Sequence, residues 1–485
     1  MLIRNLHVIF LFETDNLEQC IGASVFLLIY KRRRNHMASD IKNMTSGTPG
    51  KLIFLFAVPL MLGNIFQQFY TMVDTIIVGQ VVGVQALAAL GSADWLVWMV
   101  FSVISGMTQG FSILISQVYG AERWKELKKN VSMTYLWTAV IAIVVVVVSQ
   151  STISPILRLM NTPEEILPVT LTYSRIIFAG LPIVAAYNAL ASVLRALGNS
   201  KSPLTAMVIA AFTNIGLDLL FVAVFHWGVA GAAVATLIAQ TVSAIYCYFV
   251  LRKIDIVRLK RSDIIWHQNL SGKMIKLGIP LAFQNIIISV GGLVVQSVVN
   301  GFGVLFVAGF TATNKMYGML ECAAIAFGYA ITTYVGQNLG AGFLDRIKKG
   351  VHQGAVMAIL TSLIITAAMI IFGRNILSLF ISGTPEEIKL VLDIAYRYLF
   401  IMAAMLWVLY LLFVYRSALQ GLGNTVIPMS SGIVEFIMRV VAAMILPQFV
   451  GTDGIFYAEI AAWTGAAVLL MISYYIVIKK YKERY

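Results

Sequence analysis

Between Lys51 and Ile478 the chain alternates long apolar stretches with short polar connections. Twelve stretches are candidate membrane spans, at about 52–77, 86–116, 131–153, 168–195, 204–225, 229–251, 273–299, 307–336, 351–372, 388–418, 427–449 and 454–478. At a rise of ~1.5 Å per residue, roughly twenty residues cross a hydrocarbon core of ~30 Å. The pattern predicts an all-α polytopic membrane protein with twelve transmembrane helices. The first stretch, LIFLFAVPLMLGNIFQQFYTMVDTIIVG, departs from a plain anchor at two places. Pro59 removes a backbone hydrogen bond and invites a bend, which marks it as a candidate conformational residue. Asp74 is an ionisable side chain inside an apolar run, costly unless it faces a partner or a wet cavity, and so a functional candidate by default.

The polar connections alternate in charge. The basic ones include KRRR at 31–34, Arg123/Lys125/Lys128/Lys129, Arg195/Lys201, the 252–276 loop, Arg346/Lys348/Lys349 and the KKYKER tail. The opposite set is neutral or acidic, as in the Glu164/Glu165 and Glu386/Glu387 turns. Positive charge marks the cytoplasmic side, so both termini and the central loop are expected there, in a cell-membrane protein. An even number of spans agrees. Residues 1–50 read as a cytoplasmic amino-terminal segment. Within it the apolar run Ile21–Tyr30 is too short to span, and Met37 begins a plausible leader. Residues 1–36 then read as an upstream extension, or alternatively as an interfacial helix.

An internal repeat organises the rest. AVPLMLGN at 57–64 recurs as GIPLAFQN at 278–285, which sets Pro59 and Pro280 221 positions apart. SQVYGA at 116–121 recurs as GQNLGA at 336–341, a shift of 220. NTPEEI at 161–166 recurs as GTPEEI at 383–388, a shift of 222, and VLRALGNSKSP at 193–203 as ALQGLGNTVIP at 418–428, a shift of 225. The shift spans six helices, so the halves insert in the same orientation, as two six-helix bundles related by a pseudo-two-fold along the membrane normal. The expected lobes are 51–251 and 273–478, joined by a linker at 252–272 and followed by a tail at 479–485.

Composition narrows the function classes. The chain is 59% hydrophobic and 12% charged, against about a quarter charged in soluble domains. The net charge of +13 follows from the basic connections and does not imply nucleic acid. Cys20, Cys247 and Cys322, and the five histidines, are scattered without metal-ligand spacing. No phosphate loop, catalytic triad, metal cluster or dinucleotide fingerprint occurs. No enzyme, cofactor or obligate protein partner is therefore expected, and direct use of ATP would need a nucleotide-binding domain not found here. The expected partners are membrane lipid and small molecules.

P-x(4)-N in the first helix of each half, VDTIIVG followed by ALAALG, QVYGA and QNLGA, LRALGNSKSP, NIGLD and GVAGAAVAT together resemble the multidrug and toxic compound extrusion (MATE) family over 45–480. The resemblance implies cation-coupled efflux of organic cations and amphiphilic drugs, driven by H⁺ or Na⁺. Related lipid-linked precursor flippases share the architecture and form the first alternative; an ion channel is the second.

Asn214 and Asp218 lie four apart on helix five and share a face. The topology puts Asp218 and Asp74 at similar depth in the amino lobe. Carboxylates and an amide are hard oxygen ligands for Na⁺, and a desolvated carboxylate favours its neutral, proton-carrying form. The resemblance adds Tyr70 and Thr236 to this cation-coupling set. The counterpart of Asp74 is Val295, and Pro280–Leu320 contains no carboxylate, so the coupling site is expected in the amino lobe alone.

Candidate substrate residues are Phe66, Gln67 and Gln68 on helix one, Asn188 on helix four, and Asp94 beside Trp95 and Trp98. An acid among aromatic faces suits an organic cation, although an interfacial aromatic belt has the same composition. In the second lobe Glu435 and Arg439 are spaced as a helical pair, and so are Asp393 and Arg397. Lys315 and Glu321, six apart, need partners elsewhere. Glu321, Glu435 and Arg439 complete the substrate candidates. The 21 methionines suit an adaptable cavity or an ordinary core.

Overall fold

The computed structural model describes residues 41–160, 162–381 and 384–484. The segment read as an extension or interfacial helix, 1–36, lies outside them, as do Asn161 and Gly383 of the repeated TPEEI turns. The described chain is helical. In order it comprises α1 (Pro49–Val81), α2 (Val84–Gly120), α3 (Trp124–Leu159), α4a (Leu167–Ala179), α4b (Leu181–Ala196), α5 (Lys201–Asp218), α6 (Gly228–Arg252), α7 (Gln268–Asn300), α8 (Val304–Gly340), α9 (Leu344–Ser378), α10a (Pro385–Ala404), α10b (Leu406–Gly421), α11 (Val426–Ile445) and α12 (Asp453–Arg484). Ten helices or helix runs are long and apolar enough to cross a membrane, and the two bent pairs bring the total to twelve. The helices outrun the apolar stretches because several continue into polar turns: α3 begins at Trp124, ahead of the apolar run at 131.

The bends are symmetric although their sequences are not. α4 bends by 46° at Gly180 and α10 by 48° at Met405, and these positions are 225 apart, the local offset of the repeat. At Gly180 the cause is visible, since Pro182 supplies no N–H to continue the ladder. A side chain at Gly180 would also collide with Leu237 of α6, 2.0 Å from its Cβ. Met405 has neither feature, so in the second lobe the packing imposes the bend.

The pseudo-two-fold is written in hydrogen bonds. Asn64 of α1 donates to Cys322 O of α8 at 3.2 Å, and its counterpart Asn285 of α7 donates to Ser102 O of α2 at 3.0 Å. Gln117 donates to Gly421 O at 3.0 Å, and Gln337 to Ala196 O at 2.9 Å. α2 and α8 cross so tightly that a Cβ on Gly120 would lie 1.9 Å from Gln337 O, and one on Gly340 1.8 Å from Gln117 O. The repeated P-x(4)-N and Q-x-x-G motifs are therefore the seam between the lobes.

The first helix of each half is shared across that seam. Ile53, Phe56, Ala57 and Leu60 of α1 are buried in the core of the carboxy half, whereas Gly63 lies against Met207 and Leu204 of α5. Correspondingly, Met274 and Ala282 of α7 pack with Met107, Phe111 and Met133 of the amino half. Pro59 lies within the part of α1 that is buried in the carboxy half, one turn before Gly63, and α1 continues through it as one helix.

At the end of the bundle that carries the basic connections, residues 42–47 form a strap. Met44 is fully buried; its N–H donates to Gln337 Oε1 at 2.9 Å and its carbonyl accepts from Asn338 Nδ2 at 3.0 Å. Arg346 donates to Gly47 O at 3.0 Å. Lys42 N donates to Gly198 O at 3.2 Å. Gly198 has φ +88° and admits no Cβ, because Lys42 O would lie 2.1 Å away. The glycine of LRALGNSKSP is thus required by its backbone conformation and by the strap.

Candidate functional site

The amino-lobe site is built by the second half of α1, by α5 and by α6. Asp74 is buried, and Asn214 and Asp218 have no exposed surface. The four-residue spacing does put the last two on one face of α5. Asn214 donates to Thr236 Oγ1 of α6 at 3.5 Å, which ties the two helices. Tyr70, one turn before Asp74, sits among Gln67, Asp74, Asp218 and Gln240, all close enough to act on its hydroxyl. Asp74, Asp218, Asn214, Tyr70 and Thr236, the expected cation-coupling set, are therefore brought together.

The cluster has a surplus of acceptors. Asp74 Oδ1, Asn214 Oδ1, both carboxylate oxygens of Asp218 and Gln240 Oε1 are buried and accept no hydrogen bond from the protein. Buried polar atoms without partners are rare and costly, and five in one place call for a positive species: a proton on a carboxylate, or a cation that takes oxygen ligands. Two residues escaped the sequence reading. Gln240 lies one turn beyond Thr236 on α6, a signal the spacing carried. Tyr173 of α4a is buried within electrostatic reach of Asp74, Asp94, Asp218 and Tyr70, and only the fold places it there.

The backbone changes immediately after the cluster. α5 ends at Asp218 and the chain continues as a π-helical turn, Leu219–Val224. Such turns widen the helix by one residue and recur at functional sites. Here the wider turn lets Phe221 stack on Trp227, ring centroids 4.8 Å apart, while Gly231 of α6 gives its backbone close passage.

The other candidates fall in three places. Phe66 and Gln67 are exposed and Gln68 is half-buried against Gly318 of α8. The Asn188 side chain is spent on its own helix, donating to Val184 O at 2.9 Å. Asp94 faces Lys315 of α8 at 4.0 Å.

The carboxy-lobe residues form a separate buried network. Glu435 accepts from Arg439 at 3.2 Å, the expected helical pair, and from Arg416 of α10b at 2.7 Å. Arg439 also pairs with Glu459 of α12 at 2.9 Å. Glu321 of α8 lies within electrostatic range of all four. Arg416 and Glu459 were missed because nothing in their local sequence points to α11. The pairing of Asp393 with Arg397 is corrected: Asp393 binds Arg374 of α9 at 2.7 Å and Arg397 binds Asp453 of α12. Helical spacing allowed the intrahelical pair, but basic and acidic partners on adjacent helices take both groups.

Residues 59–220 and 280–445 match the sequence profile of the MatE family, once in each half. The chain belongs to the MatE family. Among the relatives, a probable multidrug resistance protein YoeA of Bacillus subtilis (strain 168) is 30% identical over 88% of this chain and 94% of its own length. A FAD transporter of Shewanella oneidensis is 23% identical over 72% of this chain and 78% of its own. Among solved structures, an outward-facing multidrug resistance MATE family transporter superposes with a TM-score of 0.85 at 20% identity, covering 91% of this chain and 98% of that one. This MatE protein is thus a multi-pass membrane protein of a transporter family, with the twelve-helix fold of its structural neighbours.

Proposed function

We propose that this MatE protein is a cation-coupled antiporter that exports organic cations and amphiphilic drugs by alternating access, with H⁺ or Na⁺ bound at Asp74, Asp218 and Asn214. The observation that carries the reading is the donor-poor oxygen cluster of the amino lobe. Binding of the coupling ion there favours the conformation that releases substrate. Differential affinity between two states is the only lever a ligand has, and the coupling is reciprocal. A single charge moving through ~100 mV contributes about 2.3 kcal/mol, enough to sustain an outward drug gradient. The basic connections support an orientation with both termini in the cytoplasm of the cell-membrane protein. The flippase reading asks for a cationic cavity lining, whereas Arg416 and Arg439 are held by Glu435 and Glu459.

The test is ethidium efflux from proteoliposomes under an imposed proton or sodium gradient. Wild type should respond to one of the two gradients, and Asp74→Asn should lose that response. Undiminished gradient-driven efflux by Asp74→Asn would remove the carboxylate from the mechanism. Lipid translocation without ethidium efflux would favour the flippase, and ethidium-independent current the channel.

A further inference from the structure

Asp94 on α2 and Lys315 on α8 come from different lobes, and at the 220-residue offset of these two helices Asp94 matches Asn314 while Lys315 matches Trp95. The two residues are one position out of register on α2 and α8, the helices that cross at the seam, and they meet across it. One lobe supplies an acid and the other a base. Asp94 Oδ2 and Lys315 Nζ are 4.0 Å apart, and the side chains are 61% and 54% exposed. This is not a buried bridge of the Glu435 kind but an accessible pair between the lobes.

Its surroundings are those of a binding wall. Trp95 lies over Gly292 of α7, where a Cβ would come within 2.9 Å of the indole. Trp98 stands edge-on to it, centroids 6.3 Å apart, and is half exposed. Asp94 is also within electrostatic reach of Asp74 and Tyr173, so the pair borders the amino-lobe cluster.

We propose that Asp94 and Lys315 are the two poles of a substrate subsite that selects zwitterionic amphiphiles over plain cations. Without substrate each ion is the other's counter-ion. A plain cation that takes Asp94 leaves the Lys315 ammonium uncompensated. A zwitterion whose ammonium meets Asp94 and whose carboxylate meets Lys315 exchanges one ion pair for two. An exposed pair at this separation is weak, and the flexible lysine stem lets Nζ move aside, so the pair opens readily. Trp95 and Trp98 offer ring faces and edges to an aromatic body. Selection then comes from the group left unpaired by the wrong ligand as much as from contacts with the right one.

The proposal rests on the transport reading, but equilibrium binding needs no gradient, so the two fail separately. The purified full-length protein in detergent is titrated by fluorescence anisotropy with a rhodamine that bears a free carboxylate and with its methyl ester, a plain cation on the same ring. Lys315→Met should weaken the zwitterion about tenfold and leave the ester unchanged or tighter, while Asp94→Asn weakens both. The exchange variant Asp94→Lys with Lys315→Asp should restore the wild-type preference, because it keeps one acid and one base facing each other across the seam and a zwitterion can bind them in the reverse sense. That variant also guards against a single change that fails to elute as one species. A Lys315→Met effect equal for the two dyes, or absent, would overturn the proposal, as would an exchange variant that prefers the ester.

Discussion

Glu435 is the acid between two arginines, and its removal has a calculable consequence. Its carboxylate binds Arg416 at 2.7 Å and Arg439 at 3.2 Å, with every side chain of the trio under a tenth exposed. In Glu435→Leu, Arg439 keeps Glu459 at 2.9 Å. Arg416 keeps no close acid, only a 3.5 Å contact with Ser431 Oγ, the face of Phe413 and Glu321 at longer electrostatic range. An uncompensated buried charge costs about 3–5 kcal/mol, and the reference is at hand in Asp393→Asn. That change opens an ion pair with Arg374 whose side chains are about half exposed, and such pairs contribute about 0–1 kcal/mol. Thermal inactivation in detergent, read by the monodisperse fraction after heating, should therefore fall by several degrees for Glu435→Leu and barely for Asp393→Asn. Removing Arg416 as well, in Glu435→Leu with Arg416→Met, should recover part of the loss, because the orphaned charge is gone. If Glu435→Leu proves as mild as Asp393→Asn, or if the double variant is worse than the single, the network is not a neutralised structural knot.

Two further outcomes follow from the seam. Gly340→Ala should abolish assembly of the monodisperse protein, since its Cβ would lie 1.8 Å from Gln117 O, whereas Gly216→Ala, with open space around it, should be tolerated; equal yields would contradict the α2–α8 crossing. Asn64→Leu and Asn285→Leu each remove one interlobe hydrogen bond of about 3 Å, worth about 1 kcal/mol. The two should therefore lower the heating midpoint by similar amounts and act additively when combined.

The fold was legible where the physics is local. Apolar run length marks spans, and a repeated motif at constant offset marks a symmetry axis, so all twelve spans were recovered with ends displaced by a few residues. The bend at Gly180 carried a proline signal and that at Met405 carried none, because tertiary packing alone imposes it. Within the site, Asn214 and Asp218 could be placed together from helical periodicity and Asp74 from topology. Tyr173 could not, since its proximity arises from the tertiary packing of α4a against α2 and α6. The same limit explains Asp393 and Arg397: sequence shows which pairs are geometrically allowed along one helix, not which neighbours compete. The contact of Asp94 with Lys315 lay equally beyond the sequence, because the repeat matches Asp94 with Asn314 and only the crossing of α2 and α8 brings the two charges together.

The strap ahead of α1 is fastened unequally. In the amino half Lys42 N–H bonds to Gly198 O and Ile41 packs against the core, and in the carboxy half Met44 is buried and the strap is held by Gln337, Asn338 and Arg346. Because Met44 is anchored in the carboxy core, separation of the lobes at this end is expected to carry the strap with the carboxy half. A label at the exposed Ser46 would consequently report motion of the second half of the molecule, although the chain next enters α1. Fusion partners placed upstream would likewise load the distant lobe, so carboxy-terminal tags are the neutral choice for measuring transport.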